Sequence, residues 1–359
     1  MPLPVPALIG GLLWISPYMF LNSVLAVKSV VILNLLGLVS LILIFLRKRW
    51  VCRYVCPLGV VCDWASKTRR NQDTVRLKLN NYLAIISLAL AIFGAPVLIL
   101  LDPFNIFHIS FEAFRTDFHF STFLKVLLLL GIILMNVLLP NIWCRSICPL
   151  GGLQLLTFEL KNLIQKSTIL KKPTSYGRRL FVGGLTGIVT GLALPRTSFF
   201  SYGKNIRPPA ALPEPAFNLV CARCGNCSSV CPTHIIKPSE DTAKIGSLLT
   251  PEIDFSDSYC LPECTICGNV CPSGAIGKFT KEDKKNLFMA SVRINVDECW
   301  LQDQRDCDLC RYHCAYDAIV IEKTEDIQIA LPLLINNKCV GCAACKIVCP
   351  ADAIVMKTI

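Results

Sequence analysis

The sequence predicts two regions of different class, an α-helical polytopic membrane domain in the first half and a small α+β domain of repeated cysteine loops in the second. Two observations carry this. Apolar residues make up 53% of the 359 and charged residues only 17%, with a mean hydropathy of +0.53, and the apolar excess gathers before residue 200. Sixteen of the 21 cysteines lie between Cys221 and Cys349, in four blocks of four.

The first block is Cys221, Cys224, Cys227 and Cys231, then Pro232; the last is Cys339, Cys342, Cys345 and Cys349, then Pro350. Both have the C-x2-C-x2-C-x3-C-P spacing of the cluster-binding run of bacterial ferredoxins. Between them, Cys260-x3-Cys264-x2-Cys267-x3-Cys271 and Cys299-x7-Cys307-x2-Cys310-x3-Cys314 keep the C-x2-C-x3-C core but stretch the first gap. The expectation is an α+β bacterial ferredoxin-like domain with four [4Fe-4S] sites. Structural zinc usually takes separated cysteine pairs, and a disulfide framework has no need of four such cores. Each block reads as loop, short helix and short strand, the last marked by Ile235-Ile236, Ala275-Ile276, Ala318-Ile319 and Ala353-Ile354.

In two-cluster ferredoxins the fourth cysteine of a run ligates the other cluster. Because the regular blocks enclose the variant ones, the expected pairing is outer with outer (218–238 and 336–359) and inner with inner (257–320). Cys349 then completes Cys221, Cys224 and Cys227, and Cys231 completes the last block, while Cys314 and Cys271 are exchanged between the inner two. Sequential pairing, one with two and three with four, is the alternative.

A bilayer core takes about 20 apolar residues in helix. Val30 to Leu46, Tyr82 to Leu101 and Phe123 to Leu139 read as spans, and Leu180 to Leu194 as a shorter, glycine-rich one. Ala7 to Phe20, interrupted by Pro17, reads equally as an interfacial or re-entrant helix or as a span. Nine Lys and Arg against two acids lie from Arg47 to Lys78, and seven against Glu159 from Arg145 to Arg179, so both loops are expected inside. The domains are then a membrane domain at 1–179, a crossing segment at 180–197 and an extracytoplasmic polyferredoxin at 198–359, in a multi-pass protein of a prokaryotic inner membrane. The basic loops account for the net charge of +11, and no nucleic-acid partner is needed to explain it.

Four further cysteines form two near-copies, Cys52-x3-Cys56-Pro57-Leu58-Gly59 and Cys144-x3-Cys148-Pro149-Leu150-Gly151. They have the right number for a fifth cubane; a redox dithiol pair and simple structural thiols are the alternatives. Cys62 has no counterpart in the second copy and reads as a packing residue. In the segment Asp102 to Ser121, read as an outer loop, Asp102, His108 and Glu112 are the candidate proton-handling residues, with no catalytic triad elsewhere. His119 is a weaker candidate, and His234 and His313 lie inside cluster blocks.

The paired C-x3-C-P-L-G motifs resemble those of NapH-type membrane iron–sulfur proteins, a pattern also seen in the NosR and CcoG families. The second half resembles NapG/MauM-type ferredoxins, including Arg207-Pro208-Pro209-Ala210 before the first block. Departures from that pattern are the x3 gap of block two and the absence of proline after Cys314. Gly177-Arg178-Arg179-Leu180-Phe181 resembles a twin-arginine export signal. The resemblance implies a quinol-dehydrogenase component, mainly an electron carrier, that takes electrons from the membrane quinol pool, with Asp102, His108 and Glu112 the candidate quinol site, and passes them to an extracytoplasmic reductase, of nitrate-reductase type, or to a cytochrome c-type acceptor. An electron donor for assembly of a metalloenzyme and a cytoplasm-facing membrane ferredoxin are the other readings.

Overall fold

The computed structural model describes residues 11–28, 32–47, 49–67, 79–112, 120–165, 176–193, 205–242, 245–323 and 330–358. The chain forms two compact units. Unit one comprises Met1–Ser201, Pro215–Gly225 and Pro272–Ala275, and unit two Tyr202–Glu214, Asn226–Cys271 and Ile276–Ile359.

Unit one is helical, with α1 (Pro17–Val27), α2 (Leu35–Leu46), α3 (Trp50–Tyr54), α4 (Pro57–Lys67), α5 (Leu79–Ile92), α6 (Pro103–Glu112), α7 (Phe120–Leu138), α8 (Pro149–Gln165), α9 (Tyr176–Ala193) and α10 (Ala216–Val220). The start of α1 is set by Ser16, whose Oγ accepts from Met19 N at 3.2 Å, and by Pro17 at the first position, where no N–H is needed. The core gathers Leu13, Tyr18, Ile44, Val51, Phe104 and Trp143. Polar groups are buried there too, and they answer one another. Ser16 Oγ donates to Asp102 Oδ2 at 2.6 Å, and Tyr18 donates to Ser87, which donates to Asn22 at 2.9 Å. Leu36, Ile42, Leu128 and Leu134 face outward instead.

The polytopic membrane domain expected from the sequence is not what forms: among the described residues, no helix is long and apolar enough to cross a membrane. Val30 to Leu46 divides into a 3-10 turn at Ile32–Asn34 and the 12 residues of α2, and Asn34 at the junction donates to Pro272 O at 2.6 Å. Tyr82 to Leu101 ends its helix at Ile92, because Gly94 takes φ +77 and Pro96 follows, and continues only as a 3-10 turn, Val97–Leu101. Phe123 to Leu139 falls in the 19 residues of α7, with Asn136 buried and bonded to Ile132 O. The glycine-rich run belongs to α9, 18 residues packed on α5; a Cβ on Gly187 would lie 2.5 Å from that of Ala89. With the spans gone, the multi-pass inner-membrane location and the placing of the ferredoxin region on the extracytoplasmic face lose their basis. Residues 68–78, 166–175 and 194–204, which hold much of the basic loops and the link, lie outside the described residues, as does His119.

In unit two, α11 (Asn226–Ser229), α12 (Ile266–Asn269), α13 (Leu309–Tyr312) and α14 (Ala344–Ile347) are single turns, each carrying the third cysteine of its block. The repeat is written in the backbone as well. The third residue after each block's last cysteine is left-handed: His234 (φ 53), Gly274 (φ 74), Asp317 (φ 48) and Asp352 (φ 49). Asn, Asp and His enter this region more readily than most side chains.

The strands are β1 (Ile236–Pro238), β2 (Pro251–Ile253), β3 (Ser291–Ile294), β4 (Ile319–Lys323), β5 (Ala330–Leu334) and β6 (Ile354–Lys357), and β1, β4 and β6 follow that turn. They pair antiparallel as β1 with β2, β3 with β6 and β4 with β5. Block two has only a bridge, Ile276 to Ala211. This explains the Arg207-Pro208-Pro209-Ala210 stretch: Ala210 O accepts from Gly277 N at 2.9 Å, while Arg207 is fixed by Glu214 at 2.6 Å and by Pro251 O at 2.6 Å.

Candidate metal centres

The strand pairing decides which cysteines meet. Because β1 lies on β2, Cys231 is carried to block two, and a pocket is lined by Cys231, Cys260, Cys264 and Cys267, with Ile236 and Ile253 in its wall. Because β6 lies on β3, Cys349 is carried to block three, and a pocket is lined by Cys299, Cys307, Cys310 and Cys349, with Ile294 and Ile354 in its wall. A third set gathers Cys339, Cys342 and Cys345 with Cys314, around the cluster of Val292, Ile319 and Ile354. In these three sets the fourth cysteine comes from the neighbouring block in sequence. The arrangement is the sequential one, and it departs from the outer-with-outer expectation at Cys231, Cys314 and Cys349.

Burial, with the neighbouring thiols adding to it, pushes the Cys310 thiol up to about 11 and those of Cys267 and Cys345 to about 12. At two other cysteines a backbone N–H points at sulfur: Ile276 N lies 3.4 Å from Cys271 Sγ and Ala318 N 3.3 Å from Cys314 Sγ. None of the cysteines in the three sets forms a disulfide. Among the described residues, no three His, Cys, Asp or Glu side chains converge as they would on one ion. A cubane spreads its four thiolates over four different irons, so its ligands need not converge on a point as zinc ligands do at about 2.3 Å. The donor set fits a cluster better than a single metal.

Lys284 is a site residue that the spacing of cysteines could not reveal. It is fully buried, and its Nζ donates to Cys260 Sγ at 3.3 Å, Leu261 O at 2.5 Å and Cys264 O at 2.7 Å.

In unit one the two C-x3-C-P copies come together. Cys56 and Cys148 each precede the proline that starts a helix, α4 and α8, and their N–H groups donate to Val51 O at 2.9 Å and Trp143 O at 2.8 Å. The glycine of each copy is a packing requirement: a Cβ on Gly59 would lie 2.4 Å from Cys52 O, and one on Gly151 2.9 Å from Cys144 O. Burial, then the neighbouring thiols, raise Cys52 to about 12 and hold Cys56 and Cys148 well above the ordinary thiol range. Gln154 Nε2 donates to Cys52 Sγ at 2.9 Å. Cys62 is buried in the same core, which Cys144 packs against.

Asp102, His108 and Glu112 are not on an exposed loop. Asp102 precedes α6 and the other two lie on it, all three buried. Burial lifts the Asp102 carboxyl to about 7, against the hydrogen bonds from Ser16 and Phe104 N. Its charge is felt at Cys52 and Cys56, which places it near the unit-one thiols. His234 and His313 are exposed.

Known proteins carry the same motifs. The chain matches a 4Fe-4S binding domain at 30–74 and 122–167, a 4Fe-4S dicluster domain at 220–275 and another 4Fe-4S binding domain at 332–355. It is 31% identical over 151 residues to the ferredoxin-type protein NapF of Haemophilus influenzae, covering 42% of this chain and 78% of that one. The chain belongs to the family of ferredoxin-type proteins. The ferredoxin-type protein NapG of Escherichia coli is 28% identical over 204 residues, covering 51% of this chain and 85% of the relative. The methylamine utilization ferredoxin-type protein MauM of Methylophilus methylotrophus is 32% identical over 148 residues, covering 39% and 64%. No solved structure matches. As a ferredoxin-type protein the chain carries multiple [4Fe-4S] clusters and transfers electrons with a redox partner.

Proposed function

We propose that the chain is a five-cluster electron conductor that takes electrons from quinol and hands them to a respiratory oxidoreductase. The observation that carries the reading is that each of two cavities in unit two is lined by three cysteines of one block and the fourth of its neighbour. The ligand sets are Cys260, Cys264 and Cys267 with Cys231; Cys299, Cys307 and Cys310 with Cys349; and Cys339, Cys342 and Cys345 with Cys314. Cys221, Cys224, Cys227 and Cys271 are the cysteines left over, and we assign them to a fourth cluster from the spacing of their motifs alone. Cys52, Cys56, Cys144 and Cys148 supply the fifth set, a reading supported by the 4Fe-4S binding-domain match over both copies.

Bound clusters supply one-electron chemistry; the chain's part is to space, insulate and tune them. Cys260 N donates to Cys342 O at 3.0 Å, and Cys310 lies close enough to Cys345 for their charges to interact. These contacts string the three sets of unit two into a path from Cys260 through Cys342 and Cys345 to Cys310.

The acceptor we favour is of nitrate-reductase type; an amine-oxidising system, which would donate electrons to the clusters, is the second choice of partner because several relatives are methylamine utilization proteins. Asp102, His108 and Glu112 are proposed to serve the quinol, with Asp102 the proton acceptor, since its carboxyl titrates near neutrality. Mixing the anaerobic, oxidised protein with a quinol analogue should bleach the cluster absorbance within minutes, and Asp102→Asn should slow this at least tenfold. Clusters that dithionite reduces but quinol leaves oxidised would remove the donor and keep the conductor.

A further inference from the structure

Block two is the block whose first gap is one residue longer than the regular spacing, and its extra room is filled from outside the motif. Lys284 sits on a 3-10 turn, Asp283–Asn286, that Thr280 and Asp283 close: Thr280 N donates to Asp283 Oδ2 at 2.9 Å, and Asp283 N donates to Thr280 Oγ1 at 3.2 Å. The turn aims Nζ inward. All three of its donors are used, two on the carbonyls of Leu261 and Cys264 at either side of the enlarged gap and one on Cys260 Sγ.

The electrostatics are unusual. Lys284 is the one lysine counted as buried among the described residues, and no carboxylate there pairs with it. Burying an ammonium without a counter-charge is costly, so the charge that balances it has to come from the thiolates it touches. A thiolate-ligated cubane is anionic and becomes more so on reduction. A fixed cation at hydrogen-bond distance from a ligand sulfur therefore stabilises the reduced form more than the oxidised one.

We propose that Lys284 is a positioning residue that closes the Cys260–Cys264 loop on its cluster and, through its charge, sets that cluster's potential above those of the other sites in unit two. This rests on the assignment of Cys231, Cys260, Cys264 and Cys267 as one ligand set.

The test is an EPR-monitored redox titration of the cluster-loaded protein and three variants. Lys284→Met removes charge and bonds, Lys284→Gln keeps a donor without the charge, and Lys284→Arg keeps the charge. The oxidised-to-reduced ratio of one cluster is expected to shift at least tenfold in the Met and Gln variants, a fall of about 59 mV for a one-electron couple, with the Arg variant near wild type. Loss of that one cluster in both uncharged variants, with retention in Lys284→Arg, also supports the proposal. All clusters present with no potential moved in Lys284→Gln would overturn it. A separate control, Cys264→Ala, should cost the protein one cluster; if the iron content does not fall, the ligand assignment itself is wrong.

Discussion

Unit two holds sulfur on short loops, unit one at the starts of helices, and the two solutions tolerate change differently. On the loops of unit two the first gap varies from two residues to three to seven, because the thiol is placed by local backbone N–H groups and by strands that lie after the block. In unit one the two copies share every spacing. There Gly59 and Gly151 press against the carbonyls of Cys52 and Cys144, and the following helix cannot shift without colliding with its own motif. A loop absorbs an insertion, whereas a packed helix start does not.

The largest effect that would break or sharpen this contrast is at Cys349. Its replacement by alanine should cost one cluster outright and raise the alkylation of Cys299, Cys307 and Cys310 at least tenfold by mass mapping, leaving Cys221, Cys224 and Cys227 protected. The reverse pattern would restore the outer pairing.

Next in size is Asp102→Asn in unit one. The folded carboxyl titrates near 7 and the unfolded one near 4, so the native state binds the proton more tightly. Stability is then fullest below about pH 4 and is lost as pH rises toward 7, by on the order of 4 kcal/mol. The Asn variant should lack that slope. Urea titrations at pH 5 and pH 8, followed by tryptophan fluorescence, would report it, since Trp14, Trp50, Trp64 and Trp143 lie in unit one and only Trp300 in unit two.

The smallest effect is expected at Gln154→Leu. Losing its bond to Cys52 removes about 1 kcal/mol of thiolate stabilisation, so alkylation of Cys52 in protein stripped of iron should slow about fivefold at pH 9, while Cys267 is unaffected. Equal slowing at both cysteines would mean that the variant has disturbed more than one thiol.

The cysteine blocks were fully legible in the sequence, because a cluster-binding run is a local spacing rule and each block does fold as a loop with a single helical turn. The partner of each block was not. Spacing says nothing about which strand Ile354 will lie against, and it is β3, ahead of block three, that draws Cys349 away from block one. Lys284 was hidden in the run Lys281-Glu282-Asp283-Lys284-Lys285, where only the 3-10 turn distinguishes the buried lysine from its exposed neighbours. In unit one the count of apolar residues suggested spans, but continuity matters more than count: Asn34 and the Gly94 to Pro96 stretch break two of the runs.

The strand order also fixes a timetable. The pocket of Cys231, Cys260, Cys264 and Cys267 has all four cysteines and Lys284 once the chain has been synthesised to residue 284, but the pocket of block three stays open until Cys349, the last cysteine of block four, arrives. The nascent chain therefore presents three cysteines of block three to the cell without their fourth for the length of some forty residues. A ribosome stalled in that interval would leave block three open to oxidation while block two already has its full set of cysteines.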